Sequence, residues 1–163
     1  MRTNAIEVQR GHVDELACAC ATVRRAARAV TQFYDGWLRA QGIEGPQFAL
    51  LAMLERLGEC NQADMGRRFD LDKTTLSRNV RLLKQRGWIA IVAGSDGRER
   101  RVTLTRAGRR RLVAARPAWR KAQQHLRSSM PEEHEWKTVL RVLNAMTHAA
   151  RHARRHVTQE TER

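Results

Sequence analysis

Aromatic residues make up only 5% of this 163-residue chain, as three Phe, four Trp and a single Tyr. A protein that grips single-stranded RNA stacks bases on exposed rings, and the few rings here fall at core spacing. Cysteine is scarcer still: Cys18, Cys20 and Cys60 are an odd number and too few for a disulfide framework, so free thiols in a reducing compartment are expected. No apolar run approaches the roughly 20 residues of a spanning helix. The stretch MRTNAIEVQRGHVDE also lacks the uninterrupted apolar core of a signal peptide. A cytoplasmic chain with no membrane partner is the expectation. Also missing are G-x-S-x-G, a P-loop, H-E-x-x-H and paired carboxylates in an apolar setting. The expectation is therefore no enzyme, no catalytic residues, no cofactor and no metal. Acids are in short supply too, 17 against 31 Lys and Arg, which leaves a net charge of +14.

That excess is unevenly placed. Between Asn61 and Arg116, 15 Lys and Arg face five acids, so ten of the fourteen net charges fall in about a third of the chain. Clustered cations favour a polyanion, because displaced counterions reward each phosphate neutralised. Around this basic middle lie long helical patterns. Leu16, Cys20, Val23, Ala27, Val30, Tyr34 and Trp37 step 4, 3, 4, 3, 4, 3 and predict one helix face ending near Gly42. Pro46 can open a second helix, with Phe48, Leu51, Leu54 and Leu57 as its apolar stripe and Gly58 as its stop. Near the C-terminus, Trp136, Val139, Leu140, Leu143, Met146, Ala150, Ala153 and Val157 line one face of a last helix. These stripes exceed what the compact middle can cover, and a helical dimer would cover them.

The basic middle itself reads as two helices and a hairpin. Asn61 is placed to cap a short helix over Gln62–Phe69, with Asp64 three residues on. Asp72 caps the next, from about Lys73 to Arg86, which buries Leu76, Val80 and Leu83. Its outward face carries Lys73, Thr74, Ser77, Arg78, Arg81 and Lys84. Trp88–Val92 reads as a strand, and SDGRERRVTLTRAG as a tight Asp-Gly turn followed by alternating strand residues. Thr105 caps a third long helix that runs past Pro117, where a kink is expected. The fold class is mainly α: a winged helix-turn-helix with flanking helices forming a homodimerisation domain. The boundaries are 11–44 for the N-terminal dimerisation helix, 45–105 for the winged helix-turn-helix and 106–158 for the C-terminal dimerisation helices.

NQADMGRRFDLDKTTLSRNVRLLKQRGWI, followed by the wing signature at Asp96, Arg98, Leu104, Thr105 and Gly108, resembles the MarR family of transcriptional regulators. The two motifs in this order and spacing are specific, and flanking helices extend the likeness over nearly the whole chain. The resemblance implies a homodimer on a pseudo-palindromic operator in double-stranded DNA. It implies that Thr74, Thr75, Ser77, Arg78, Arg81 and Lys84 face DNA, beside Lys73. It further implies that Asp96 pairs with Arg98 to shape the wing, with Arg98 and Arg100 reaching DNA. Arg109, Arg110 and Arg111 read as a solvated or phosphate-facing run.

Relief of such regulators takes two forms in the family. In the first a small molecule enters a pocket between the dimerisation helices and the winged helix. Here Tyr34, Trp37 and Phe48 would line it, and Arg24, Arg25 or Arg28 would favour an anionic aromatic effector. In the second a thiol is oxidised. Cys20 stands near the start of the first helix, as in the family's organic-hydroperoxide regulators, and Tyr34 occupies one expected position, but Arg24 replaces a second tyrosine. Cys20 also lies on the apolar seam, where a small buried cysteine is ordinary packing. Cys60 reads as a core residue. His148, His152 and His156 recur every four residues without a carboxylate or cysteine nearby and read as a solvated basic face.

Overall fold

The computed structural model describes residues 18–94, 99–130 and 133–161, with side chains over 135–154 in the last segment. Six helices and a small sheet form in the order α1 (Ala19–Leu38), α2 (Gly45–Leu57), β1 (Cys60–Asn61), α3 (Gln62–Phe69), α4 (Lys73–Gln85), β2 (Ile89–Ala93), β3 (Arg100–Leu104), α5 (Arg106–Ser128) and α6 (Glu133–Thr161). The chain divides into two compact units, Met1–Trp119 and Arg120–Arg163. Among the described residues no helix is long and apolar enough to cross a membrane.

In the first unit the core gathers Leu38, Ile43, Phe48, Leu50, Leu51, Leu54, Met65, Leu76, Val80, Leu83, Ile89, Val102 and Leu112. The first helix stops at Leu38, earlier than its periodicity predicts. A 3₁₀ turn, Arg39–Gln41, tightens its end before Gly42 takes a left-handed conformation at φ 64°. α2 then begins with a reciprocal cap. Gln47 Nε2 donates to Glu44 Oε2 at 2.9 Å, Glu44 N donates to Gln47 Oε1 at 3.3 Å, and Asp35 Oδ1 accepts from Gly45 N at 2.7 Å. Its buried face is Gln47, Phe48, Leu50, Leu51 and Leu54. Leu57, expected on that stripe, is 39% exposed, because the helix ends at Gly58 before its last turn is covered.

The sheet has order β1-β3-β2, all antiparallel. β2 and β3 form the wing, in register from Ile89 opposite Leu104 to Ala93 opposite Arg100. Cys60, in β1, is buried as expected, paired opposite Val102. Burial pushes its thiol above the usual range, Asp64 adds to the rise, and Arg68 and Arg101 partly offset it.

The end of α4, the wing and the start of α5 meet in one junction. Gly87, at φ 68°, closes α4 with a Schellman motif: its own amide bonds Lys84 O, and Trp88 N bonds Leu83 O at 3.0 Å. Thr105 Oγ1 donates to Gly87 O at 2.7 Å and accepts from Gly108 N at 3.0 Å, so the expected cap of α5 also pins the end of α4. Thr105 N adds a bond to Trp88 O. Gly108 passes so close to Trp88 that an added Cβ would lie 2.0 Å from its carbonyl oxygen. The Thr-x-x-Gly of the wing signature is therefore a packing requirement.

Around this junction two guanidiniums stack on the Trp88 ring, Arg86 at 4.9 Å and Arg111 at 5.4 Å. Arg86 Nη1 also donates to Gln47 Oε1, and Arg111 Nη1 to Gln41 O at 2.5 Å. Arg109 faces Glu55 Oε1 at 3.7 Å, and Arg116 bonds Glu55 as well. The expected solvated run at 109–111 is corrected at Arg111, which is half-buried and bonded across the fold; Arg109 faces Glu55 but is exposed, as is Arg110. α5 continues unbroken through Pro117.

Gly108→Ala forces a backbone carbonyl and a methyl into the same space, and should cost about 3 kcal/mol of stability. A thermal melt of this variant should show a midpoint roughly 6–12 °C lower. An unchanged midpoint would mean that the junction relaxes freely.

Candidate nucleic-acid interface

α3 and α4 arise from two side-chain caps. Asn61 Oδ1 accepts from Asp64 N at 2.8 Å, and Asp72 Oδ1 accepts from Thr75 N at 2.9 Å. Between them Asp70 adopts φ 51°, a left-handed conformation that Asp tolerates better than most residues. This single residue reverses the chain, so that α4 leaves α3 with its own buried face, Leu76, Val80 and Leu83, turned into the core.

The opposite face of α4 follows from helix geometry. At about 100° per residue, Thr74, Arg78, Arg81 and Gln85 point away from the buried triplet, while Lys73, Ser77 and Lys84 lie toward one flank. All seven are exposed. Thr75, Arg78, Arg81 and Gln85 line one groove of about 370 Å³, and Lys73 and Ser77 line another of about 380 Å³ with Arg67 of α3. Gln85 is the member of this face that the sequence reading missed; it is uncharged and stands between Lys84 and Arg86, which hid its alignment with Arg78 and Arg81. Thr75 is exposed, but its hydroxyl donates to Asp72 Oδ2 at 2.6 Å. Two bonds from Thr75 hold the Asp72 carboxyl below its ordinary value of 3.8.

At the wing, Glu99 organises the base. Its Oε1 accepts from Asn61 Nδ2 at 2.8 Å, its Oε2 lies 3.7 Å from Arg101 Nε, and its carbonyl accepts from Gly94 N at 2.7 Å. Arg100 is exposed on β3. Asp96 and Arg98, expected to pair at the wing tip, lie outside the described residues.

The expected effector residues are only partly brought together. Phe48 is buried and stacks on Trp119 at 5.5 Å. Tyr34 packs against the same core, and burial raises its hydroxyl pKa. Phe33, not singled out from the sequence, meets Tyr34 edge-on at 5.8 Å and Trp37 at 6.4 Å. Arg24 is exposed and ten residues earlier on the same helix, about 15 Å along the axis, so one chain does not place it beside Tyr34. Cys20 is exposed as well, so within the chain it is not packed. His148 and His152 are exposed on α6, and the side chain of His156 lies outside the described residues.

A short capped helix, a reversed turn, a second helix with an exposed basic face and an adjacent two-stranded wing define a winged helix-turn-helix DNA-binding protein. The family model described as "MarR family" matches residues 41–99. The chain is 34% identical to the Mycobacterium tuberculosis transcriptional regulator MosR, solved in complex with DNA. That match spans 82% of this chain and 98% of MosR, with a TM-score of 0.71. Bordetella bronchiseptica BpsR, whose structure concerns regulation of its DNA binding by 6-hydroxynicotinic acid, shares the fold at 21% identity. It covers 84% of this chain and 98% of its own, with a TM-score of 0.73. Among curated proteins, the uncharacterised HTH-type transcriptional regulator YwoH of Bacillus subtilis is 22% identical over 111 residues, 68% of this chain and 81% of YwoH. The chain belongs to the MarR family of transcriptional regulators.

Two outcomes follow for the interface. Arg78→Ala should weaken specific operator binding by about 1–3 kcal/mol. Wild-type binding should fall with salt at a log–log slope of roughly −7 to −11, the slope for eight to twelve neutralised phosphates. Fluorescence anisotropy on an operator duplex reads both, and a flat salt response would contradict the phosphate contacts. For Asp72, the depressed native pKa means its cap stabilises above 3.8 and is lost as pH falls through the lower native value. The melting-temperature gap between wild type and Asp72→Ala should therefore hold at neutral pH and narrow below pH 3.8.

Proposed function

We propose that this regulator is a cytoplasmic homodimeric repressor that binds a pseudo-palindromic operator and is released by a small anionic aromatic molecule. The observation that carries the dimer is the exposed apolar surface of α6, where Val139, Leu140, Val142, Leu143 and Met146 are each 38–47% exposed. Val30 of α1 is 40% exposed in the same way. Isolated side chains of this kind are unremarkable, but a run on one helix calls for a partner. In this reading residues 11–44 and 106–158 supply the dimer contacts, and 45–105 reads DNA. Lys73, Thr74, Ser77, Arg78, Arg81 and Lys84 enter or flank the major groove; Thr75 shapes the helix start, and the wing, with Asp96, Arg98 and Arg100, follows the backbone. Two such modules over a promoter would block polymerase, which favours repression over activation. Release by an anionic aromatic is supported by the likeness in fold to BpsR. A ligand acts only through its differential affinity for the two DNA-binding states.

A second reading has its own support. Cys18 and Cys20 are both exposed, and Cys18 is the extended N-cap of α1 (φ −68°, ψ 111°), outside the regular helix. Cys18 is thus not held to the helical i, i+2 geometry that sets two side chains on different faces. An organic hydroperoxide would oxidise the Cys20 thiolate to a sulfenic acid, releasing the alcohol. Attack by the Cys18 thiolate would then form a disulfide and expel hydroxide.

The separating experiment measures operator binding of the reduced protein, then after organic peroxide, and then with aromatic acids, for wild type and Cys20→Ser. The ligand reading expects aromatic acids to weaken binding in both proteins, with no response to peroxide. Peroxide release in wild type, absent in Cys20→Ser, would replace it with the thiol reading. Light scattering on the same samples should give twice 18.7 kDa; a monomer mass would overturn the dimer.

A further inference from the structure

One cavity in the first unit shares no lining residue with the two grooves along α4 or with the expected effector residues. It opens between α2 and α3, holds about 340 Å³, and is lined by Ala49, Ala52, Met53, Arg56, Leu57, Arg68 and Phe69. Five of these are apolar, and two are guanidiniums, one from each helix. The size falls at the lower end of small-molecule sites, about 300–1,000 Å³.

Six arginines of this unit are committed: Arg67 to Asp64, Arg101 to Glu99, Arg109 and Arg116 to Glu55, and Arg86 and Arg111 to backbone carbonyls. Among the described residues Arg56 and Arg68 have no ion-pair partner. Glu55, the nearest acid in sequence to Arg56, is engaged on the α5 side by Arg109 and Arg116. Two uncompensated guanidiniums beside an apolar lining complement a ligand with one carboxylate and an apolar body. A guanidinium offers a carboxylate two parallel N–H donors, and the lining removes the body from water.

We infer that the α2–α3 cleft is a binding site for a small organic carboxylate with an apolar body, aromatic or short aliphatic, held by Arg56 and Arg68. Its role as an effector site rests on the ligand-release reading above, and it moves that effector from the Arg24 region to this cleft. The cleft is well placed for the task. Phe69 ends α3 immediately before the reversed Asp70 turn that aims α4, so a ligand joining Arg56 to Arg68 bears directly on the helix that sets the DNA-reading face.

The test uses the full chain, free of DNA, titrated with benzoate, octanoate and the neutral isostere benzamide by calorimetry. Benzoate or octanoate should bind and benzamide should not, and the stronger of the two acids tells the aromatic source from the aliphatic. Arg56→Ala and Arg68→Ala should each weaken binding about tenfold or more, as lost charge-assisted hydrogen bonds do. Arg56→Lys and Arg68→Lys should lose less. Both arginines are exposed, so the variants should keep the wild-type melting temperature. Arg24→Ala should bind as wild type. No binding of either acid, binding indifferent to Arg56 and Arg68, or loss only in Arg24→Ala would each overturn the site. Operator affinity measured beside it separates the two readings. Carboxylate binding that needs Arg56 and Arg68 but leaves operator affinity unchanged supports the site and removes the effector role. Operator release that persists in Arg56→Ala and Arg68→Ala overturns the site and keeps ligand release.

Discussion

The contact between Gly108 and the Trp88 carbonyl governs how this protein presents itself to DNA. Because no side chain stands between them, the first turn of α5 lies against the chain that has just left α4. Thr105 exploits that closeness with one hydroxyl, which caps α5 and holds the Gly87 carbonyl. The end of the recognition helix, the root of the wing and the start of the long α5 therefore move as one piece. Arg86 and Arg111, stacked on Trp88, tie the same piece to the α1–α2 turn through Gln41, Gly42 and Gln47. A change in the flanking helices has a short covalent and hydrogen-bonded route to α4.

The acids in and beside the basic region are too few to neutralise it, and four of those described serve architecture. Asp72 caps α4, Glu99 closes the wing base against Asn61, and Glu55 gathers Arg109 and Arg116. Asp64 takes Arg67. What remains among the described residues is a set of cations with no ion-pair partner, and their location decides what they can meet. On α4 they form a convex exposed row suited to a groove edged by phosphates. In the α2–α3 cleft they flank an apolar hollow suited to something much smaller.

Local patterns made much of this legible. The caps at Asn61, Asp72 and Thr105 appear where Asn, Asp and Thr precede apolar periodicity, because the capping bond spans only three residues. The buried triplet of α4 follows from 3.6-residue spacing, and so does its basic face. Leu57 and Arg111 were misread for the same reason: periodicity tells which residues share a face but not whether another element covers it. Arg111 finds Gln41 seventy positions away, and no local signal announces such a partner. Within one chain Arg24 stands nearly three turns from Tyr34, because a helix rises about 1.5 Å per residue.

The sequence alone determined the helix-turn-helix, the wing strands and the concentration of charge, since these depend on propensity, capping and short-range periodicity. Family membership was also legible, because two specific motifs stand in order at a set spacing. Only the tertiary structure decided which of the described cations have protein partners and why position 108 must be glycine. It also brought Arg56 and Arg68, twelve residues apart, to the rim of one cleft. Each of these depends on contact between elements distant in sequence, and such contacts are set by packing and not by local pattern.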